Sequence, residues 1–167
     1  MNHRQENTPA SFAQQGMWIS ERMGAGLAYH MPLALWLDGD LDVDALLRAC
    51  AGVIARHPVL STAVVESGDG LRLVPGTPPP VTLARHSPAT LDLLLREEIA
   101  RSFDLERGPL ARFTLAQVRS GRHVLLFVAH HLVFDGLSKD ILVRDLADLY
   151  AAARRTTGPR TMGPRAT

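Results

Sequence analysis

Apolar positions recur along the chain with two different periods, and the switches between them divide it into elements. Over residues 11–23, Phe12, Gln15 and Ile19 follow helical spacing; Ser11 can cap the helix and Gln14 stands at the capping-box position. Gly24 and Gly26 break it. Residues 31–37 are a short apolar run bounded by Pro32 and the Asp38-Gly39 turn signal, which reads as a strand. A second helix is predicted from a cap at Asp42 through Arg56, with Val43, Leu46, Leu47, Cys50, Val53 and Ile54 on one face; Pro58 blocks its continuation. Residues 59–65 and 71–74 flank Ser67-Gly68-Asp69-Gly70, a hairpin signature. Pro78-Pro79-Pro80 reads as a stiff surface connection.

Leu91, Leu94, Leu95 and Ile99 mark a third helix ending near Ser102. Residues 110–118 and 123–129 read as strands joined by a turn over 119–122. The second strand is almost entirely apolar, the pattern of a strand buried on both faces. A last helix starts near Ser138 and turns Ile141, Leu142, Leu146 and Leu149 inward. From Arg154 the period stops: Gly158-Pro159-Arg160 and Gly163-Pro164-Arg165 repeat with no acid nearby, so 154–167 reads as a disordered tail. Residues 1–10 form a polar leader, and 11–153 form one α/β unit of interleaved strands and helices.

Composition narrows the classes of function. The chain has 167 residues, 46% of them hydrophobic, enough for a single sizeable core. A formal net charge of +1 supplies no strong field for nucleic acid or an anionic membrane. No apolar run approaches the roughly 18–20 residues that span a bilayer, and the leader lacks the apolar stretch of a secretory signal. A cytoplasmic domain is therefore expected. The single cysteine, Cys50, excludes an internal disulfide and a multi-cysteine metal cluster; its place on an apolar helix face marks it as a core thiol.

The densest chemistry is His130-His131-Leu132-Val133-Phe134-Asp135-Gly136, which leaves the most buried strand and enters the turn before the last helix. Side chains and free helix N–H groups converge on ligands at such strand ends. Successive strand residues point to opposite faces, so only one of the two histidines can face a given cavity. Spacing alone leaves a polar strand end with an Asp-Gly turn as an equal reading. Adjacent histidines rarely converge on one metal ion, and no third ligand is evident.

The run His-His-x-x-x-Asp-Gly at 130–136 resembles the signature of the condensation domains of non-ribosomal peptide synthetases, shared across the chloramphenicol-acetyltransferase-like superfamily. Other segments agree in order and spacing: Ser11-Phe12-Ala13-Gln14 with Trp18; Leu37-Asp38-Gly39-Asp40-Leu41-Asp42 before Ala45-Leu46; Arg56-His57-Pro58-Val59-Leu60-Ser61-Thr62; and Phe103-Asp104-Leu105 with Gly108-Pro109-Leu110. Two departures stand out. The family usually has an arginine where this chain has Ser61, and that arginine pairs with the motif aspartate, so Asp135 needs another partner, with Arg56 and Arg112 as candidates. Family members are also two-lobed, and this sequence resembles the N-terminal lobe only.

The resemblance implies a two-layer lobe, a mixed sheet covered by helices, and amide formation between an acyl thioester and an amine acceptor. No tightly bound cofactor is implied, since substrates arrive on the phosphopantetheine arms of peptidyl or acyl carrier proteins. His131 would face the tunnel as general base or amine-positioning group, and His130 would be its buried structural neighbour. Asp135 would be buried and hold the loop, and the N–H of Gly136, lacking a Cβ, could approach a developing oxyanion. His3, His30, His57, His86 and His123 carry no expected role. A second lobe or self-association would complete the site. The alternatives are a non-catalytic half-domain used for recruitment or scaffolding, and a free acyltransferase relative using coenzyme A or carrier thioesters.

Overall fold

Backbone hydrogen bonds group the strands into two sheets, in a computed structural model that describes residues 7–85 and 88–156. The chain enters through β1 (Thr8–Pro9) and turns at Ser11 into α1 (Phe12–Arg22). The Ser11 hydroxyl accepts from the Gln14 N–H at 3.2 Å, and the Gln14 side chain accepts from the Ser11 N–H at 2.9 Å, so the capping box is formed. A short 3-10 turn leads to β2 (His30–Asp38), then α2 (Val43–Arg56) starts from Asp42, whose carboxylate accepts from the Ala45 N–H at 2.9 Å. A second 3-10 turn, Pro58–Ser61, precedes the hairpin β3 (Thr62–Ser67) and β4 (Gly70–Pro75). The chain continues through β5 (Val81–Arg85), α3 (Pro88–Ala100), β6 (Ala111–Arg119), β7 (Arg122–His130) and α4 (Ser138–Thr156).

The larger sheet has the order β2-β7-β6-β5, antiparallel except for the parallel β5–β6 pair; the smaller has the order β1-β4-β3. On one face of the larger sheet, Phe113, Leu115, Leu125, Phe127 and Ala129 pack under α2 and α4 with Cys50, Val53, Leu142 and Leu146. On the other face, Ala116, Val118 and Val124 receive Leu91 of α3. Strand alternation puts His30, Arg112, Thr114 and His130 on this second face as well, and all four are buried. Burial pushes the Cys50 thiol up to about 12, which leaves it inert at neutral pH. No described helix is long and apolar enough to cross a membrane.

Five details differ from the pattern reading. Residues 59–61 lie in the 3-10 turn, because Pro58 starts a tight turn before the strand can begin. Strand β5 comes directly after the prolines and was invisible as a strand; its parallel partner β6 supplies the pairing. The leader already joins the fold before Ser11, as Thr8 and Pro9 pair with Leu73 and Arg72. Helix α4 runs on to Thr156 rather than stopping at Arg154, since arginine is a good helix former; residues 157–167, like His3 and His86, lie outside the described residues. Finally, Phe12 and Ile19 of α1 face outward, at 92% and 53% exposure, and so does Ile141 of α4, which the pattern turned inward, at 43%.

Candidate functional site

Strand β7 ends at His130, where backbone hydrogen bonds anchor the start of the motif loop. The His130 N–H donates to the Leu110 carbonyl at 2.9 Å, and the His131 N–H donates to the Tyr29 carbonyl at 2.8 Å. Past the strand, the chain turns and the Val133 N–H returns to the His130 carbonyl at 3.1 Å. The two histidines are thereby separated: His130 is fully buried, and His131 is half-buried on the rim of an open hollow of about 260 Å³ with Gln14, Val59, Asp135 and Ser138. A smaller, mostly apolar cavity of about 110 Å³ adjoins it, with Val59, Val133, Phe134 and Ser138 common to both and His57 in its lining.

Hydrogen-bond partners assign both imidazoles. His131 Nδ1 lies 2.9 Å from the Phe134 carbonyl oxygen, which can only accept, so Nδ1 carries the proton and Nε2 is bare in the neutral ring. His130 Nδ1 accepts from the Leu132 N–H at 3.1 Å, so its proton sits on Nε2. Burial, reinforced by His30 and His131, pushes the His130 imidazole down to about 4, and it is neutral at physiological pH.

Asp135 is not where the resemblance implied. It is exposed, and its Oδ1 accepts from the Ser138 N–H at 2.8 Å and the Ser138 hydroxyl at 2.6 Å, three residues ahead, in the manner of a helix N-cap. These bonds to Ser138 hold its carboxyl below the usual carboxylate range. Neither proposed arginine is its partner. Arg56 pairs with the buried Asp145 at 3.2 Å, where the His57 Nε2 also arrives at 2.8 Å, a pin between the end of α2 and the middle of α4. Arg112 lies on the α3 face of the sheet, donates to the Glu98 and Arg101 carbonyls and covers the Phe103 ring at 4.1 Å. Ser61 borders a different hollow, beside Gly76, Pro78 and Pro79. The cap explains how this loop keeps its shape without the missing arginine.

The lowered Asp135 pKa has a measurable consequence. The carboxylate contributes stability above its ordinary pKa, and this contribution is lost as pH falls through the folded value. Asp135→Ala is therefore expected to lower the melting temperature by a few degrees at pH 7, with wild type and variant converging as pH falls well below 4. A variant that melts with the parent at pH 7 contradicts the capping role.

Gly136 is exposed, and a Cβ built on it meets nothing within 4 Å. Nothing in the packing of the described residues demands glycine there, and its backbone is not in the left-handed region. Among the described residues no cluster of His, Cys, Asp or Glu could hold a metal ion. Three contacts near the motif have no counterpart among the expected site roles: His57 with Asp145, the Gln14 Nε2 that donates to the Leu132 carbonyl at 2.9 Å, and the Glu21 carboxylate that approaches His130. Only the seven-residue spacing of Gln14 and Glu21, which puts them on one face of α1, was there to be read.

The sequence profile of the condensation-domain family matches residues 4–162. This chain belongs to the condensation-domain family. Malpibaldin synthetase of Mortierella alpina is 38% identical over 164 residues, which cover 90% of this chain and 3% of that protein. The starter condensation domain of the rhizomide synthetase RzmA has the same fold, with a TM-score of 0.83 and 21% identity over 90% of this chain and 38% of that one. The X-domain, solved in complex with OxyB from teicoplanin biosynthesis, superposes with a TM-score of 0.82 and 29% identity, covering 100% of this chain and 37% of the solved one. The chloramphenicol-acetyltransferase-like fold expected for this condensation-domain chain is thus present, and the chain spans well under half of each solved relative.

Proposed function

We propose that this lobe supplies one wall of an amide-forming site, in which an amine acceptor attacks an acyl thioester held on a carrier-protein phosphopantetheine arm. The amine nitrogen forms the C–N bond, the C–S bond breaks, and the thiol leaves with a proton. The observation that carries this reading is the state of His131: its Nδ1–H is spent on the Phe134 carbonyl, so a bare Nε2 remains on a residue that borders the hollow. Such a nitrogen receives the amine proton or holds the amine in place. The Gly136 N–H lies next to the hollow-lining Asp135, on the turn that enters α4, suitably exposed to meet an oxyanion.

One lobe leaves the hollow open to water and holds no second carrier arm. Phe12, Ile19, Met23 and Leu27 are exposed along α1 and the turn after it, an apolar surface suited to the part of the domain that the longer relatives possess. The lobe as a monomer is therefore expected to form no amide from donor- and acceptor-loaded carriers. Light scattering and product analysis on one sample check this: a clean monomer that turns over contradicts it, and an active oligomer means that a second copy completes the site.

A recruitment role is the second reading, favoured by the likeness to an X-domain that was solved bound to OxyB. Comparing His131 and His131→Ala chains in the complete synthetase separates the two, because a scaffold keeps its output when the imidazole is lost. Replacing the donor carrier with an acyl-coenzyme A tests the free acyltransferase alternative.

A further inference from the structure

Helix α1 buries no side chain completely, yet it grips the motif loop at two points. Gln14 donates to the carbonyl of Leu132, the residue after His131. One face-repeat further along, Glu21 places Oε1 4.0 Å from Nε2 of His130, the residue before it. The Glu21 side chain is only 14% exposed and that of His130 is fully buried. Among the described residues, His130 Nε2 and Glu21 Oε2 have no hydrogen-bond partner. These are complementary groups, a buried N–H and a buried carboxylate, and each is costly to leave alone.

We propose that Glu21 is a positioning residue that holds His130 in its Nε2–H tautomer and so fixes the turn on which His131 stands. The Nε2–H form is the one whose Nδ1 can accept the Leu132 N–H. In the other tautomer two N–H groups would face each other at that position, and the Leu132 amide would lose its acceptor inside the protein. A carboxylate on the Nε2 side favours the proton there over the proton at Nδ1, and at 4.0 Å this preference is electrostatic rather than a direct hydrogen bond. His30, its ring centroid 6.4 Å from that of His130, adds no competing donor, since its Nδ1–H is committed to the Ile99 carbonyl at 2.6 Å; its bare Nε2 is buried and makes no hydrogen bond, to His130 or to any other described residue. Arg112, the cation on the same sheet face, turns its Nη2 to the Glu98 and Arg101 carbonyls, its plane to the Phe103 ring and its Nε to the Glu98 carboxylate at 3.7 Å, too long for a hydrogen bond. The tautomer assignment stands apart from any chemistry at His131; its consequence for turnover rests on the function proposed above.

Long-range ¹⁵N–¹H correlation spectra of the histidine-labelled chain read the tautomer directly. The wild type and Glu21→Gln, whose amide oxygen keeps an acceptor on that side, are expected to show His130 as a single Nε2–H form. Glu21→Leu is expected to lose that single form, to gain Nδ1–H population and to exchange the Leu132 amide faster. A wild-type His130 in the Nδ1–H form overturns the proposal even if Glu21→Leu fails to fold, and so does an unchanged Nε2–H form in folded Glu21→Leu. In a two-lobed protein, Glu21→Leu should lower kcat with KM held, and Glu21→Gln should restore it. A tautomer that responds while kcat does not supports the tautomer assignment and overturns its consequence for turnover, leaving the role of His131 to the His131→Ala measurement.

Discussion

Replacing His131 with alanine in a protein that carries both lobes is expected to slow amide formation about 10²-fold or more, the usual scale for losing an acid–base or positioning group. The loss should fall on kcat, because the imidazole acts on the reacting amine rather than on the carrier. The fold should survive, since His131 is only half-buried and its backbone N–H to the Tyr29 carbonyl is kept by alanine. What disappears is the side-chain bond to the Phe134 carbonyl and the bare Nε2 beside the hollow. Single-turnover measurement with pre-loaded carriers isolates the chemical step. Turnover near the wild-type rate, with unchanged melting, would remove His131 from the mechanism and favour the recruitment reading.

The largest effect on stability is expected at Phe127. Its ring lies at the centre of β7, 4.8 Å from the Phe113 ring and 4.9 Å from the Phe134 ring, and all three are buried. Phe127→Ala deletes the middle of this stack and leaves a cavity between the sheet and the helices above it, at a cost of about 3–5 kcal/mol. That is a large part of the roughly 5–15 kcal/mol that holds a typical domain together. The damage should also reach the site, because Phe134 carries the carbonyl that receives the His131 Nδ1–H. Trp36→Ala is the control: the residue is 49% exposed on edge strand β2, and a smaller loss is expected there. Urea unfolding of the two variants checks this ranking, and a Phe127→Ala chain no less stable than Trp36→Ala would contradict it.

The elements with strong local signals were legible from the sequence. The capping box at Ser11 and Gln14, the cap at Asp42, the glycine turn between β3 and β4 and the apolar run of β7 each state their structure within a few residues. Strand β5 was not legible, because a short strand paired in parallel owes its state to a partner about thirty residues away. The outward turn of Phe12 and Ile19 escaped for a related reason: helical spacing finds an apolar stripe but does not say what covers it. At the site, the motif located His130 and His131, and strand alternation separated them. The partner of Asp135 is local: Ser138 stands three residues away in a helix-start pattern, whereas the arginines expected from the resemblance lie on other parts of the fold. The approach of Glu21 to His130 and the bond of His57 to Asp145 span 109 and 88 residues, and a local pattern names neither partner.

The proposed function is tested most directly by the intact mass of an acceptor carrier after incubation with a donor-loaded carrier and a two-lobed protein containing this chain. The expected result is an acceptor carrier heavier by the donor acyl group and a donor carrier returned to its free thiol form, with His131→Ala leaving both masses as they began. Transfer at an undiminished rate in His131→Ala, or both carriers unchanged with the folded wild-type protein, would contradict it.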